Sequence, residues 1–320
     1  MKPSTPWIAR DPLTIARAAR LACEWEAIAF KPGNVHPHAR FFDLTYGDFL
    51  QSAAAIEPIF ARLDRPPLPN RSRGKLGRLV LDAVAATRAT VGTNTNLGIL
   101  LLIAPLALVA TGEDLAEGVV RVLEQANEED AAAIFEAIRH AQPGGLGRAE
   151  DHDLPECLDV NHSAPSGPIP SLDQAMRAAS HRDAIARQYS QRFSDLFTFG
   201  LPDLAGRVHQ GRTLGQAITL NALAWQANHP DTLIQRKRGP DLAREASRRA
   251  RAVLESGGPD HPDHIAALTE FDTWLRVDGH ARNPGATADL VAATLFVALR
   301  VGLVMDRPDD LTLNILPRRS

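Results

Sequence analysis

The stretch Val91-Gly92-Thr93-Asn94-Thr95-Asn96-Leu97-Gly98, continued by Ile99-Leu100-Leu101-Leu102-Ile103-Ala104-Pro105-Leu106-Ala107-Leu108-Val109-Ala110, decides the reading of this chain. Its first half is small and polar, and Thr93, Asn94, Thr95 and Asn96 are all good helix N-caps. Its second half carries no charge on any face, so as a helix it is buried all round. A buried helix with a polar first turn aims free N–H groups into the protein, an arrangement suited to an anion. The plain alternative is a core helix with an over-determined cap.

Composition sets the frame. The chain has 320 residues, 44% hydrophobic and 23% charged, as expected of a globular protein with a real core. A net charge of −3 gives no reason to expect nucleic acid or an anionic membrane as partner. Two cysteines, Cys23 and Cys157, make neither a disulfide framework nor a zinc spacing. The first six residues lack the apolar region of a signal peptide, and residues 97–110 are too short to span a bilayer. The expected location is cytoplasmic.

Outward from the central stretch, helical periodicity recurs. Asp11-Pro12 reads as an N-cap with proline at the first helical position, opening a helix to about Ala29. Further helices are expected over 45–63, 76–89, 113–125, 127–140, 172–199 (in one or two pieces), 213–228, 241–256, 262–278 and 286–305. Residues 230–240 read as a short basic segment between helices, and 150–170 as a long loop. No run alternates with period two, and no repeat is evident. The expectation is an all-α fold of a dozen or so helices forming one domain over residues 1–320.

Chemistry concentrates at helix ends. Pro32-Gly33, Pro143-Gly144 and Pro284-Gly285 are Pro-Gly turns, and the 92–96 cap is a fourth polar turn. Glycine lets backbone approach a ligand and proline fixes the turn, so several such turns can build a polyphosphate site. No P-loop is present, and Gly144-Gly145-Leu146-Gly147 follows no strand, which excludes a Rossmann fingerprint. Lys31 and Arg236-Lys237-Arg238 lie beside glycine turns, and Arg offers forked donors to phosphate. The nearby acids include Glu26, Asp43, Asp130, Asp183, Asp231 and Asp289. Asp289 stands out because a charge at the start of an apolar helix needs a partner or a ligand. The histidines form no metal motif, and no Gly-x-Ser-x-Gly elbow occurs.

These segments together resemble the triphosphoribosyl-dephospho-coenzyme A synthases. The match runs in order through Glu26 with Lys31-Pro-Gly-Asn-Val35, Thr93-Asn-Thr-Asn-Leu-Gly98, Glu129-Asp-Ala131 with Ala137-Ile-Arg139, and Pro143-Gly-Gly-Leu-Gly147. It continues with Arg182-Asp183 and Ile185-Ala-Arg-Gln-Tyr189, Asp231-Thr-Leu-Ile234 with Arg236-Lys-x-Gly239, and Asn283-Pro-Gly-Ala-Thr-Ala-Asp-Leu290. The resemblance implies an all-α enzyme that takes ATP and dephospho-coenzyme A as small-molecule substrates, with Mg²⁺. Adenine leaves, and the 5-triphosphoribosyl unit goes to the ribose 2′-hydroxyl of 3′-dephospho-coenzyme A. Asn96 stands where the citrate-lyase branch usually has His. The Lys-Pro-Gly-Asn-Val-His form looks more like homologues outside citrate-lyase systems, some of which accompany tetrahydromethanopterin-linked pathways, so another alcohol acceptor is the alternative reading. A second alternative is a non-catalytic helical nucleotide-binding protein.

On this resemblance Asp289, Glu26 and Asp130 are the expected catalytic carboxylates. Lys31, Gly33, Asn34, Thr93, Asn94, Thr95, Asn96, Gly144, Gly145, Arg236, Lys237, Asn283 and Gly285 are expected to hold ATP. Asp43, Asp183 and Asp289 are the expected metal ligands.

Overall fold

Burial of α4 (Leu97–Ala107) and α14 (Gly285–Arg300) organises the computed structural model, which describes residues 6–64, 75–142 and 170–305. Every residue of α4 except Gly98, and all but two of α14, are buried. Two such helices cannot sit on a surface, so the amphipathic ones wrap them. These are α1 (Ile15–Ile28), α2 (Tyr46–Phe60), α3 (Lys75–Val91), α5 (Leu115–Gln125), α6 (Glu128–Ala141), α7 (Leu172–Ala179), α8 (Ala184–Ser190) and α9 (Leu201–His209). The set is completed by α10 (Leu214–Asn228), which is itself buried on nearly every face, and by α11 (Thr232–Arg238), α12 (Pro240–Glu255) and α13 (Pro262–Arg276). The described residues form no sheet, only two isolated bridges, so the all-α expectation holds. α14 packs on α1, α4, α10 and α9, while α10 to α13 enclose a smaller apolar cluster around Leu223, Ile234 and Phe271.

The caps explain most boundaries. Thr45 with Asp48 and Asn127 with Asp130 form reciprocal capping boxes at α2 and α6. Expectation and structure part at four places. Thr14, not Asp11, caps α1. Asp11 instead takes a left-handed conformation (φ 43°) and meets the buried Arg300 guanidinium at 2.6 and 2.7 Å, because a buried cation at the end of α14 requires a carboxylate. The basic segment 230–240 is itself a helix, α11, because the Asp231 carboxylate accepts the Leu233 and Ile234 amides at its start. The region 172–199 breaks at the Asp183 cap and again at the left-handed pair Arg192 and Phe193, before a π-helical turn Leu196–Gly200. The last helix stops at Arg300 rather than at 305.

Pro105 lies inside α4 and has no N–H to give the Leu101 carbonyl. The buried Tyr189 hydroxyl of α8 donates to that carbonyl instead, at 2.6 Å. Tyr189→Phe should therefore lower unfolding stability by about 1–3 kcal/mol, the cost of one buried unsatisfied carbonyl. A denaturant midpoint equal to wild type would show that water replaces the hydroxyl.

Candidate active site

A cavity of about 870 Å³ opens where the ends of these helices converge. The N-terminus of α4 supplies Thr93, Asn94, Thr95 and Asn96 to its wall, α14 supplies Asp289, and α1 supplies Glu26. Two motif turns are held in register by Asp231. Its Oδ1 caps α11, and its Oδ2 accepts from the Thr287 N–H (2.7 Å) and hydroxyl (2.8 Å) at the start of α14. That single buried carboxylate fixes Arg236 and Lys237 of α11 relative to Asn283, Gly285 and Asp289.

Asp289 lies in the second turn of α14, not the first, so it is no cap. Its carboxylate rests against the Cα of Gly98, in space that any side chain at 98 would fill. No described residue hydrogen-bonds to it, and burial, then the charges of Glu26, Asp231 and Asp183, push its pKa well above the usual carboxylate range, with Arg236 opposing. Gly98→Ala should consequently displace this carboxylate and cut turnover, with the α-helical circular dichroism signal unchanged.

The polar turn is tied down by its own side chains and leaves backbone donors free. Asn94 Oδ1 accepts the Leu97 amide at 3.1 Å, Thr95 Oγ1 meets Ser52 Oγ at 2.6 Å, and the buried Asn96 donates to Thr87 Oγ1 at 3.1 Å. Among the described residues no acceptor takes the Gly98 and Ile99 amides, which point out of the first turn of α4. Cations stand on the same cavity wall. Arg236 pairs with Asp183 at 2.5 Å and keeps a buried Nε without a partner. Lys237 donates to the His280 carbonyl at 3.2 Å, and burial pulls its pKa down. Arg88 donates to the Gly92 carbonyl at 2.8 Å, while Arg182 pairs with no described carboxylate. Asn283 also leaves a buried Oδ1 without a donor.

The cavity thus brings together Glu26, Asn34, Asp43, Thr93 to Asn96, Asp183, Arg236, Lys237, Asn283, Gly285 and Asp289. Gly144 and Gly145 lie outside the described residues. Three expected site residues are not on the wall. Lys31 is 1% exposed, and its ammonium turns inward to the Glu26 carboxylate (3.0 Å) and to the Glu26 and Ala29 carbonyls at the end of α1. The buried Glu26 carboxylate and carbonyls that the end of α1 leaves without helix donors hold it there. Gly33, at φ 75°, packs within 2.8 Å of the Leu275 side chain if given a Cβ, and its amide donates to Asp272. Asp130 clamps α3 to α6, with one oxygen on the Gly77 amide (2.8 Å) and the other on the Asn127 amide (3.1 Å). Both its oxygens are used, so its work is structural.

Among the metal candidates, Asp183 spends one oxygen on two amides of α8 and the other on Arg236, and Asp43 pairs with His280 at 3.4 Å. No three His, Cys, Asp or Glu side chains among the described residues converge as a metal cage. The residue reading did not select Arg88, Arg182, His280, Phe41 or Met176, which also line the cavity. Arg182 had a signal, since it directly precedes Asp183 in a matched motif. The others are brought in by tertiary packing alone.

Cations, free helix amides and a carboxylate without a described partner thus surround a cavity of nucleotide size. The chain belongs to the ATP:dephospho-CoA triphosphoribosyl transferase family, whose sequence profile matches residues 12–306. It is a transferase of ATP and dephospho-CoA, which sets aside the non-catalytic reading. The fold is also that of a solved protein from Archaeoglobus fulgidus described as a candidate triphosphoribosyl-dephospho-CoA synthase. The two share 23% identity and a TM-score of 0.58, over 80% of this chain and 100% of that one. No curated protein matches the chain. None of the described helices is long and apolar enough to cross a membrane.

Proposed function

We propose that the cavity holds ATP with its ribose C1′ beside Asp289, and that the 5-triphosphoribosyl group passes to the 2′-hydroxyl of 3′-dephospho-CoA. The observation that supports this placement is the unpartnered Asp289 carboxylate facing the cavity. In the reaction the C1′–N9 bond breaks and its electron pair leaves with adenine. The acceptor oxygen bonds to C1′ and its proton passes through a base to the departing adenine, so atoms and charge balance. The centre that forms at C1′ is oxocarbenium-like and is stabilised by a carboxylate. A base works best with a pKa lifted toward the working pH, which is the direction in which Asp289 is displaced. Asn96, buried on Thr87, has no proton to exchange and serves to position the α4 turn.

The triphosphate fits against the α4 amides with Arg236, Lys237 and Arg182. Magnesium bound to ATP keeps phosphate oxygens and water, and needs only one or two protein carboxylates. Among the wall acids, Asp183 is committed to the α8 amides and Arg236, and Glu26 to Lys31, which leaves Asp43 and Asp289 for that part. The ion would neutralise phosphate charge.

The test is one incubation with ATP, Mg²⁺ and dephospho-CoA. Free adenine should appear in step with the conjugate, with no ADP or pyrophosphate; ADP in step with turnover would replace glycosyl transfer by kinase chemistry. Arg236→Ala should weaken ATP binding roughly ten- to hundred-fold, as expected for one lost charge-assisted contact of about 1.5–3 kcal/mol. An unchanged dissociation constant would remove Arg236 from the triphosphate site.

A further inference from the structure

Phe42 is 93% exposed, the most exposed large apolar side chain among the described residues. It follows Phe41 and precedes Asp43, both of which line the cavity, while its own side chain stands outside the lining. The His280 ring, also on the cavity wall, lies between the two phenylalanines. It meets Phe41 edge-on at 5.3 Å and Phe42 at 6.0 Å with a 37° tilt. His280 is held from two further sides, by Asp43 at 3.4 Å and through its carbonyl by Lys237. Phe42 therefore presents an almost fully open ring next to residues of the cavity wall, with the His280 ring as its neighbour.

Size says which substrate reaches the rim. A cavity of about 870 Å³ is of the size that encloses one drug-sized ligand. The reaction proposed above needs two nucleotides, one of them with a long arm. The donor must sit inside, where its C1′ meets Asp289 and its phosphates meet the cations. Part of the acceptor is then left at the entrance. An exposed aromatic face is a platform for a π system, and bases stack on such rings irrespective of their identity.

We infer that Phe42, supported by His280, is a stacking platform for the adenine base of the acceptor nucleotide. The inference rests on the donor–acceptor reading above. It assigns an acceptor-binding element to a residue that no matched motif contains.

The experiment compares Phe42→Ala, Phe42→Leu and Phe42→Trp with wild type by steady-state kinetics and by calorimetric titration with dephospho-CoA. The base stack sets the expectation: KM and dissociation constant for dephospho-CoA rise about ten-fold in Phe42→Ala. The KM for ATP stays at the wild-type value, and the thermal midpoint does not move because the side chain is already in solvent. Phe42→Trp should bind as wild type, and Phe42→Leu as Phe42→Ala. If Leu serves as well as Trp, the contact is merely apolar and the base assignment is overturned. An unchanged acceptor constant in Phe42→Ala, or a change confined to ATP, overturns it too. A wild-type protein that releases no adenine would instead bring down the reading on which the inference rests, and the inference with it.

Discussion

Asp289→Asn should lower turnover roughly 10²- to 10⁴-fold, the usual range for losing a positioned proton-transfer group, and leave the thermal midpoint at or above that of wild type. The amide keeps the shape that fits against Gly98 and removes only the charge. No donor is lost, because no described residue hydrogen-bonds to this carboxylate. The stability sign follows from linkage. Burial and the neighbouring Glu26, Asp231 and Asp183 raise the folded-state pKa. Such a carboxyl adds stability below its unfolded pKa and loses it as pH rises through the folded value. At neutral pH the wild type therefore carries a penalty that the amide lacks. The midpoint difference should close as pH falls toward the ordinary carboxylate range. Adenine release and a pH series of melting curves, without nucleotide or divalent cation, decide the matter. A lowered midpoint with normal turnover would make Asp289 a structural residue.

What could be read in advance depended on how local the cause was. The α4 segment was legible because the absence of charge over residues 97–107 leaves burial as its only outcome, and the polar residues before it fix where it starts. Asp289 was legible for the complementary reason: it is the one acid in an apolar helix. Lys31, Gly33 and Asp130 were misplaced because adjacency to a glycine turn or a motif does not say which way a side chain points. Lys31 has an acceptor set of its own at the end of α1, and Asp130 is claimed by the Gly77 amide, 53 residues away in sequence. The same limit hid the Asp11–Arg300 pair and the Tyr189 hydroxyl under Pro105, both of which join distant segments. Phe41, His280 and Arg88 reach the cavity from three separate elements, so no spacing rule could collect them.

Lys31→Met carries the second large effect, and it falls on stability. The ammonium is 1% exposed and pairs with Glu26, itself 3% exposed, at 3.0 Å. It also donates to the Glu26 and Ala29 carbonyls, which the end of α1 leaves without helix partners. Removing one member of a buried pair strands the other charge, a loss of about 3–5 kcal/mol, whereas removing both is often close to neutral. Lys31→Met should therefore lower the denaturant midpoint sharply, and adding Glu26→Gln should recover much of the difference, leaving the cost of the two carbonyls. The coupling energy from that double-mutant cycle measures the pair itself. Because the ammonium faces away from the cavity, protein that remains folded at low temperature should bind ATP within a few-fold of wild type. A single variant with a wild-type midpoint and ATP affinity reduced ten-fold or more would put Lys31 back on the triphosphate and show that its inward pairing with Glu26 opens when the nucleotide enters.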